Sequence, residues 1–96
     1  MTHIEFEWDK AKSNTCLMQR GFDFAFALKI FTDVNKVTFT DKRWDYGEDL
    51  FQVIGKIAGR VHVVVFTHRN QVIRIISARK ANLREVEIYE NSANQS

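Results

Sequence analysis

Arg74-Ile-Ile-Ser-Ala-Arg-Lys-Ala81 runs an apolar stretch between three cations, Arg74, Arg79 and Lys80, with Arg84 close behind. Converging guanidinium and ammonium groups can grip a phosphodiester and offset the negative charge that builds as it is cleaved. Side chains alternate along a regular strand, so Arg74 and Arg79 would fall on opposite faces; they share one only if the chain bends near Ser77. Lys56, Arg60 and Arg69 precede the segment. Residues 50–84 hold seven of the fourteen Lys and Arg and no Asp or Glu, an asymmetry that the net charge of +2 conceals. Such a field attracts phosphate, and phosphate contacts by Lys56, Arg60, Arg69 and Arg84 are expected from it. The plainer alternative is an Arg74 surface ion pair and a solvated helix entry at Arg79, Lys80 and Arg84.

His62 and His68 share strand parity with Val64 and Phe66, which would turn both toward one face as candidate acids or bases near neutral pH. At the ends of a strand they are equally ordinary rim residues. Trp44 and Tyr46 lie in a polar loop, where they could stack on bases, anchor a protein partner or close the core. Other chemistries find no support. Ser77 has no Ser-His-acid pattern, and the chain lacks a glycine-rich phosphate loop, a Gly-x-Ser-x-Gly elbow and histidines at metal spacing. Cys16 is the single cysteine, which excludes an intramolecular disulfide and a Cys-rich zinc site, and its helical setting reads as a structural thiol. No metal and no cofactor are expected.

The elements that must position these residues read as β-α-α-β-β-β-β-α. Ninety-six residues suit one domain, and 45% hydrophobic content with 12% aromatics argues against disorder. The longest apolar run, Val63 to Phe66, is far short of a membrane span, and no signal-peptide pattern opens the chain, so a soluble cytoplasmic protein is expected. Ile4 to Trp8 alternates as a short strand; Asp9 caps a helix from Lys10 to Arg20 that Gly21 ends. Asp23 starts a second, densely apolar helix through Phe31, read as core. Val37 to Thr40, Leu50 to Ile57, Val61 to Thr67 and Val72 to about Ser77 form an antiparallel meander with turns at Ala58-Gly59 and Arg69-Asn70-Gln71. Asn82 and Glu85 have capping-box spacing for a last helix, and residues 91–96 read as a frayed tail. The expected fold is α+β: an antiparallel sheet of four to five strands, two N-terminal helices packed on one face and a C-terminal helix, with the opposite face left for function.

Phe6-Glu-Trp-Asp9 entering a helix with Lys12, the Gly21-Phe-x-Phe-Ala25 step to Phe31, the Ile54-Gly55 pair, the Val63-Val-Val65 strand, and above all Arg74 to Ala81 followed by Glu85 and Tyr89, together resemble the BrnT toxins. The resemblance spans about residues 4 to 90. It implies a RelE-like ribonuclease fold and a bacterial type II toxin that binds RNA through its basic residues and cleaves it without a metal, arrests growth and is neutralised by a BrnA-like antitoxin, with a higher-order toxin-antitoxin assembly among the expectations. It further implies that Arg74 and Arg79 clamp phosphate and stabilise the transition state, with Lys80 supporting them and Tyr89 as acid or base. The chain departs from the family pattern at Cys16, Gln19, Arg20, Leu50 and Phe66, and the loss of polar groups there gives His62 and His68 weight as replacements. Two further readings remain: a catalytically degenerate relative that binds an antitoxin-type partner without cutting RNA, and, less well supported, a DNA-binding protein.

Overall fold

Two aspartates set where helices begin in the N-terminal third. In the computed structural model, which describes residues 4–41 and 49–93, strand β1 (Glu5–Trp8) leads into helix α1 (Lys10–Arg20). The Asp9 carboxylate accepts from the Lys12 N–H at 3.1 Å and satisfies a first-turn donor. Gly21 ends α1 at φ 84°, a left-handed conformation that a Cβ would strain. Asp23 then caps α2 (Phe24–Ala27) through the Phe26 N–H at 2.9 Å, while the buried Ser13 hydroxyl accepts from the Phe24 N–H and ties α2 to α1. The apolar run expected as one helix tightens after a turn into a 3-10 turn (Leu28–Thr32). Ile30 within it is fully buried against Gly55, where a Cβ would stand 2.7 Å from Ile30 Cγ1.

Strands β2 (Val37–Asp41), β3 (Leu50–Ile57), β4 (Arg60–Arg69) and β5 (Val72–Lys80) form the expected antiparallel meander. The sheet order is β1-β5-β4-β3-β2, and β1 pairs with β5 in parallel, so the sheet is mixed rather than wholly antiparallel. The cause is topological. The helical segments between β1 and β2 return the chain to the end of the sheet it left, so β2 opposes β1; three reversals later β5 runs along it. Trp44 and Tyr46 lie outside the described residues.

Val53, Ile57, Val64, Phe66, Ile73, Ile75 and Ala78 face α1, α2 and the 3-10 turn, where Cys16, Phe22, Phe24, Ala27 and Ile30 complete the main core. Trp8 and Phe31 pack at its border. Helix α3 (Leu83–Ala93) instead crosses to the other face, where Val86, Ile88 and Tyr89 cover Ile54, Val61 and Val63. The helices therefore do not all lie on one side, as the sequence reading had placed them. The three aliphatic side chains that alternate to the far face supply the reason, because they would otherwise stand in water. α3 also runs through residues 91–93, into the stretch expected to fray. Among the described residues no helix is long and apolar enough to cross a membrane.

Candidate functional site

β5 carries one residue more than its partner strand can match. Val65 lies opposite Ser77 and Phe66 opposite Ile75, so Ile76 is left over as a β-bulge. Arg74 then sits opposite Thr67 and Arg79 opposite Val63, two positions of the same parity on β4. The bend that the two arginines need in order to share a face is therefore present. That face is the one α3 covers only at one end, and Ser77, exposed, lies between the arginines on it. Their partners stand four positions apart on β4, which places the two Cα atoms about 13 Å apart. They suit adjoining parts of an extended polyanion better than one phosphate.

At one end, Arg79 presents its guanidinium to Glu85 as a fork, Nη1 donating at 2.7 Å and Nη2 at 2.8 Å. Glu85 Oε1 also accepts from the Asn82 N–H, and Asn82 Oδ1 accepts from the Glu85 N–H, both at 2.9 Å. One carboxylate thus starts α3 and orients the arginine. A groove of about 450 Å³ opens here, lined among others by Phe39, Gln52, Arg79, Arg84 and Ile88. At the other end, Arg74 Nη1 donates to Glu7 Oε2 at 2.6 Å, with both side chains roughly half exposed. Thr67, Arg69 and Arg74 line a hollow of about 170 Å³ beside this pair. An exposed pair of this kind contributes only about 0–1 kcal/mol, so a phosphate can displace the carboxylate at little cost.

The acid-free stretch of sequence is thus not an acid-free surface, since Glu7 and Glu85 arrive from β1 and α3. Capping-box spacing flagged Glu85 in the sequence, although not its bond to Arg79. Nothing local flagged Glu7.

The other candidate residues are placed elsewhere. Lys80, exposed, is opposite His62, and His68, exposed, is opposite Ile73; both have the parity of the helix-covered face. His62 is buried in the core, its ring edge-on to Phe22 at 5.1 Å and its Nδ1 2.7 Å from the Arg60 carbonyl oxygen. Burial, reinforced by the charges of Lys80 and Arg60, outweighs that contact and holds its pKa below the usual histidine value. Arg60 Nη2 donates to the Ala81 carbonyl at 3.1 Å, and Lys56 Nζ stands 5.9 Å from the centre of the Tyr89 ring.

Cys16, Leu50 and Phe66 are absorbed into packing. Phe66 stacks on Phe51, Leu50 is buried, and Gln19 and Arg20 are exposed on α1. Cys16 is buried with its Sγ donating to the Ala78 carbonyl at 3.5 Å, and burial above all pushes its pKa up, as suits a structural thiol.

Tyr89 is only 4% exposed, and its hydroxyl donates to Asp33 Oδ2 at 2.6 Å. The same carboxylate accepts from the Lys56 N–H at 2.7 Å and the Asn35 N–H at 2.9 Å, closing the edge of β3 beyond the start of β2. Burial, then the bond to Asp33 and its charge, push the phenol up to about 12. Burial alone would raise Asp33, but the three hydrogen bonds and the Lys36 charge outweigh it and hold Asp33 below its ordinary 3.8. A depressed carboxylate lends stability above its unfolded pKa and loses it as pH falls through the folded value; a raised phenol lends stability below about pH 10 and loses it toward pH 12. Tyr89→Phe should therefore lower unfolding free energy by about 1.5–3 kcal/mol at pH 7 and flatten the alkaline loss. Urea melts at pH 7 and above pH 10 check this; unchanged midpoints would remove the bond from the fold's support.

Among curated proteins none matches the chain. Residues 8–85 match the family model described as "Ribonuclease toxin, BrnT, of type II toxin-antitoxin system", a span that takes in α1, the whole sheet except most of β1, and the start of α3 with its Arg79–Glu85 fork. By that match the chain belongs to the BrnT family of ribonuclease toxins.

Proposed function

We propose that this protein is a RelE-like, metal-independent endoribonuclease that acts in the bacterial cytoplasm, arrests growth and is neutralised by a BrnA-like antitoxin. The observation that carries the reading is the Ile76 bulge, which lines up Arg74, Ser77 and Arg79 on one open face. In the proposed reaction the ribose 2′-hydroxyl loses its proton to water as it attacks the adjacent phosphorus, the 5′-oxygen leaves as a hydroxyl with a proton from water, and a 2′,3′-cyclic phosphate remains. Arg79, pre-oriented by Glu85, stabilises the equatorial charge of the transition state, and Arg74 holds the neighbouring phosphate. Arg69 and Arg84 grip flanking phosphates, while Lys56, Arg60 and Lys80 add to the field at longer range. His68 and Tyr89 enter this scheme only from the rim and the interior.

Expression from a tight promoter, wild type beside Arg74→Ala/Arg79→Ala, tests the proposal through growth and total RNA together. Arrest with RNA loss in the wild type alone is expected. Purified protein should leave cyclic-phosphate ends in the presence of a chelator; intact RNA with folded wild-type protein would overturn the reading. One observation favours a second reading, a binding module without catalysis: both central arginines are already paired with carboxylates. That module would form a tight antitoxin complex and leave RNA whole.

Phosphate contact by Arg84 has its own signature. Arg84→Ala should weaken single-stranded RNA binding without changing sequence preference, and should reduce the slope of log affinity against log salt by about 0.7. A titration at several salt concentrations in which the slope does not move would take Arg84 out of the interface.

A further inference from the structure

The two rims of the sheet are built differently. β1 is four residues long and carries Glu5 and Glu7, the short charged edge that discourages pairing with other chains. β2 reads Val37-Thr-Phe-Thr-Asp41, and Thr38, Phe39 and Thr40 are exposed with neither charge nor proline among them. Phe39 is 40% exposed at this rim. An unguarded edge of this composition is a template for another strand.

Register decides which backbone groups of β2 point outward. The Ala81 N–H donates to the Val61 carbonyl, so odd residues of β4 bond toward β5 and even ones toward β3. Carried through the pairs Val53–Val64 and Val37–Ile54, the alternation turns Val37 and Phe39 toward β3 and leaves Thr38 and Thr40 facing out. The Lys56 N–H, bonded to Asp33 on the β2 side of β3, obeys the same alternation.

We propose that β2 pairs antiparallel with β2 of a second copy of this chain, about a two-fold axis at Thr38, to make one continuous ten-stranded sheet. Opposed residues must share a face, and centring on Thr38 satisfies that rule with its outward N–H and C=O bonded to Thr38 of the second copy. Val37 then meets Phe39 of the second copy, twice by symmetry, and Thr38 meets Thr38; aromatic–β-branched and Thr–Thr pairs are favourable cross-strand neighbours. Lys36 meets Thr40, and no like charges are opposed. Centring on Phe39 instead would set Val37 against Asp41, a buried carboxylate held by Gln52 Nε2 at 3.3 Å. The axis stands perpendicular to the sheet, so the arginine-bearing faces of both copies point the same way. One strand edge is well below the roughly 800 Å² per partner of a standard interface, so association is weak and concentration-dependent. The pairing does not depend on the nuclease reading.

Cysteine cross-linking of the full chain under mild oxidation tests the register. Thr38→Cys should give a disulfide dimer, because hydrogen-bonded antiparallel partners stand about 5.5 Å apart at Cα. Thr40→Cys, equally exposed, should not, since its symmetry mate is about 14 Å away along the strand. The wild type, with Cys16 buried, is the control. Sedimentation should show average mass rising with concentration, and Phe39→Lys, a folded variant by circular dichroism, should stay monomeric. Equal cross-linking at both positions, none at Thr38→Cys, or a Phe39→Lys dimer would overturn the proposal. A wild-type mass that remains monomeric throughout would also overturn it, and would leave this edge to a strand of the antitoxin.

Discussion

Arg79→Ala should cleave RNA about 10²–10³-fold more slowly than the wild type in single-turnover assays, the loss that follows removal of one oriented donor to a developing oxyanion. The expectation rests on geometry as well as charge. Arg79 is 35% exposed and held by a two-point fork from Glu85, so its guanidinium reaches the open face already oriented. Alanine also leaves Glu85, only 13% exposed, without its cation, and some loss of stability will accompany the loss of rate. Arg79→Lys separates the two effects: it keeps the charge but not the fork, and should recover stability more than rate. Arg60→Ala is the reference for a general loss of positive field, since Arg60 has the opposite strand parity on β4 from Arg79's partner Val63 and is bonded to the Ala81 carbonyl. Equal losses at Arg60 and Arg79, measured per folded molecule, would reduce Arg79 to one charge among many. Retention of near wild-type rate by Arg79→Ala would remove the bulged segment from the mechanism.

Phe24→Ala should lower the unfolding free energy by about 3–5 kcal/mol. Phe24 is 2% exposed and lies at the junction of α1, α2 and β5, with its own N–H bonded to the buried Ser13 hydroxyl. Little around it can collapse into the space, because Cys16 and Ala27 are small and anchored in their helices. At about 4–8 °C per kcal/mol for a chain of this size, the midpoint should fall by at least about 12 °C. Phe31→Ala should cost less. Its ring lies at the border of the core against Phe6 and Phe66, at 5.3 Å from each, and is partly exposed. Urea melts of the two variants side by side would show the order, and a larger loss at Phe31 would mean that the core centres on the 3-10 turn rather than on α2.

That contrast shows what the sequence made legible. Asp9, Gly21, Asp23 and the Asn82–Glu85 pair act within one turn of themselves, and each marks a helix boundary where expected. The turn at Ala58-Gly59 is equally local, with φ of 49° and 83° at its two residues. Phe31 could be recognised as apolar but not placed, since the change from α to 3-10 depends on the close approach of Ile30 to Gly55. The crossing of α3 to the far face depends on which strand residues need cover, a property of the assembled sheet. The arginine face was legible only conditionally: residue types pointed to phosphate, and the single condition, a bend near Ser77, is met by a bulge that no residue in the segment announces. Glu7 beside Arg74 and Asp33 beneath Tyr89 come from distant parts of the chain, where periodicity says nothing.

The parallel pairing of the first strand with the fifth has a consequence for the moment of birth. β1 leaves the ribosome well ahead of residues 72–75, the strand it pairs with. At about 5–20 residues per second that wait lasts roughly 3–14 s. The bond from Tyr89 to Asp33 must wait longer still. Nascent chains therefore lack the arginine-bearing face until β5 has emerged, and whatever chemistry that face performs begins only after that.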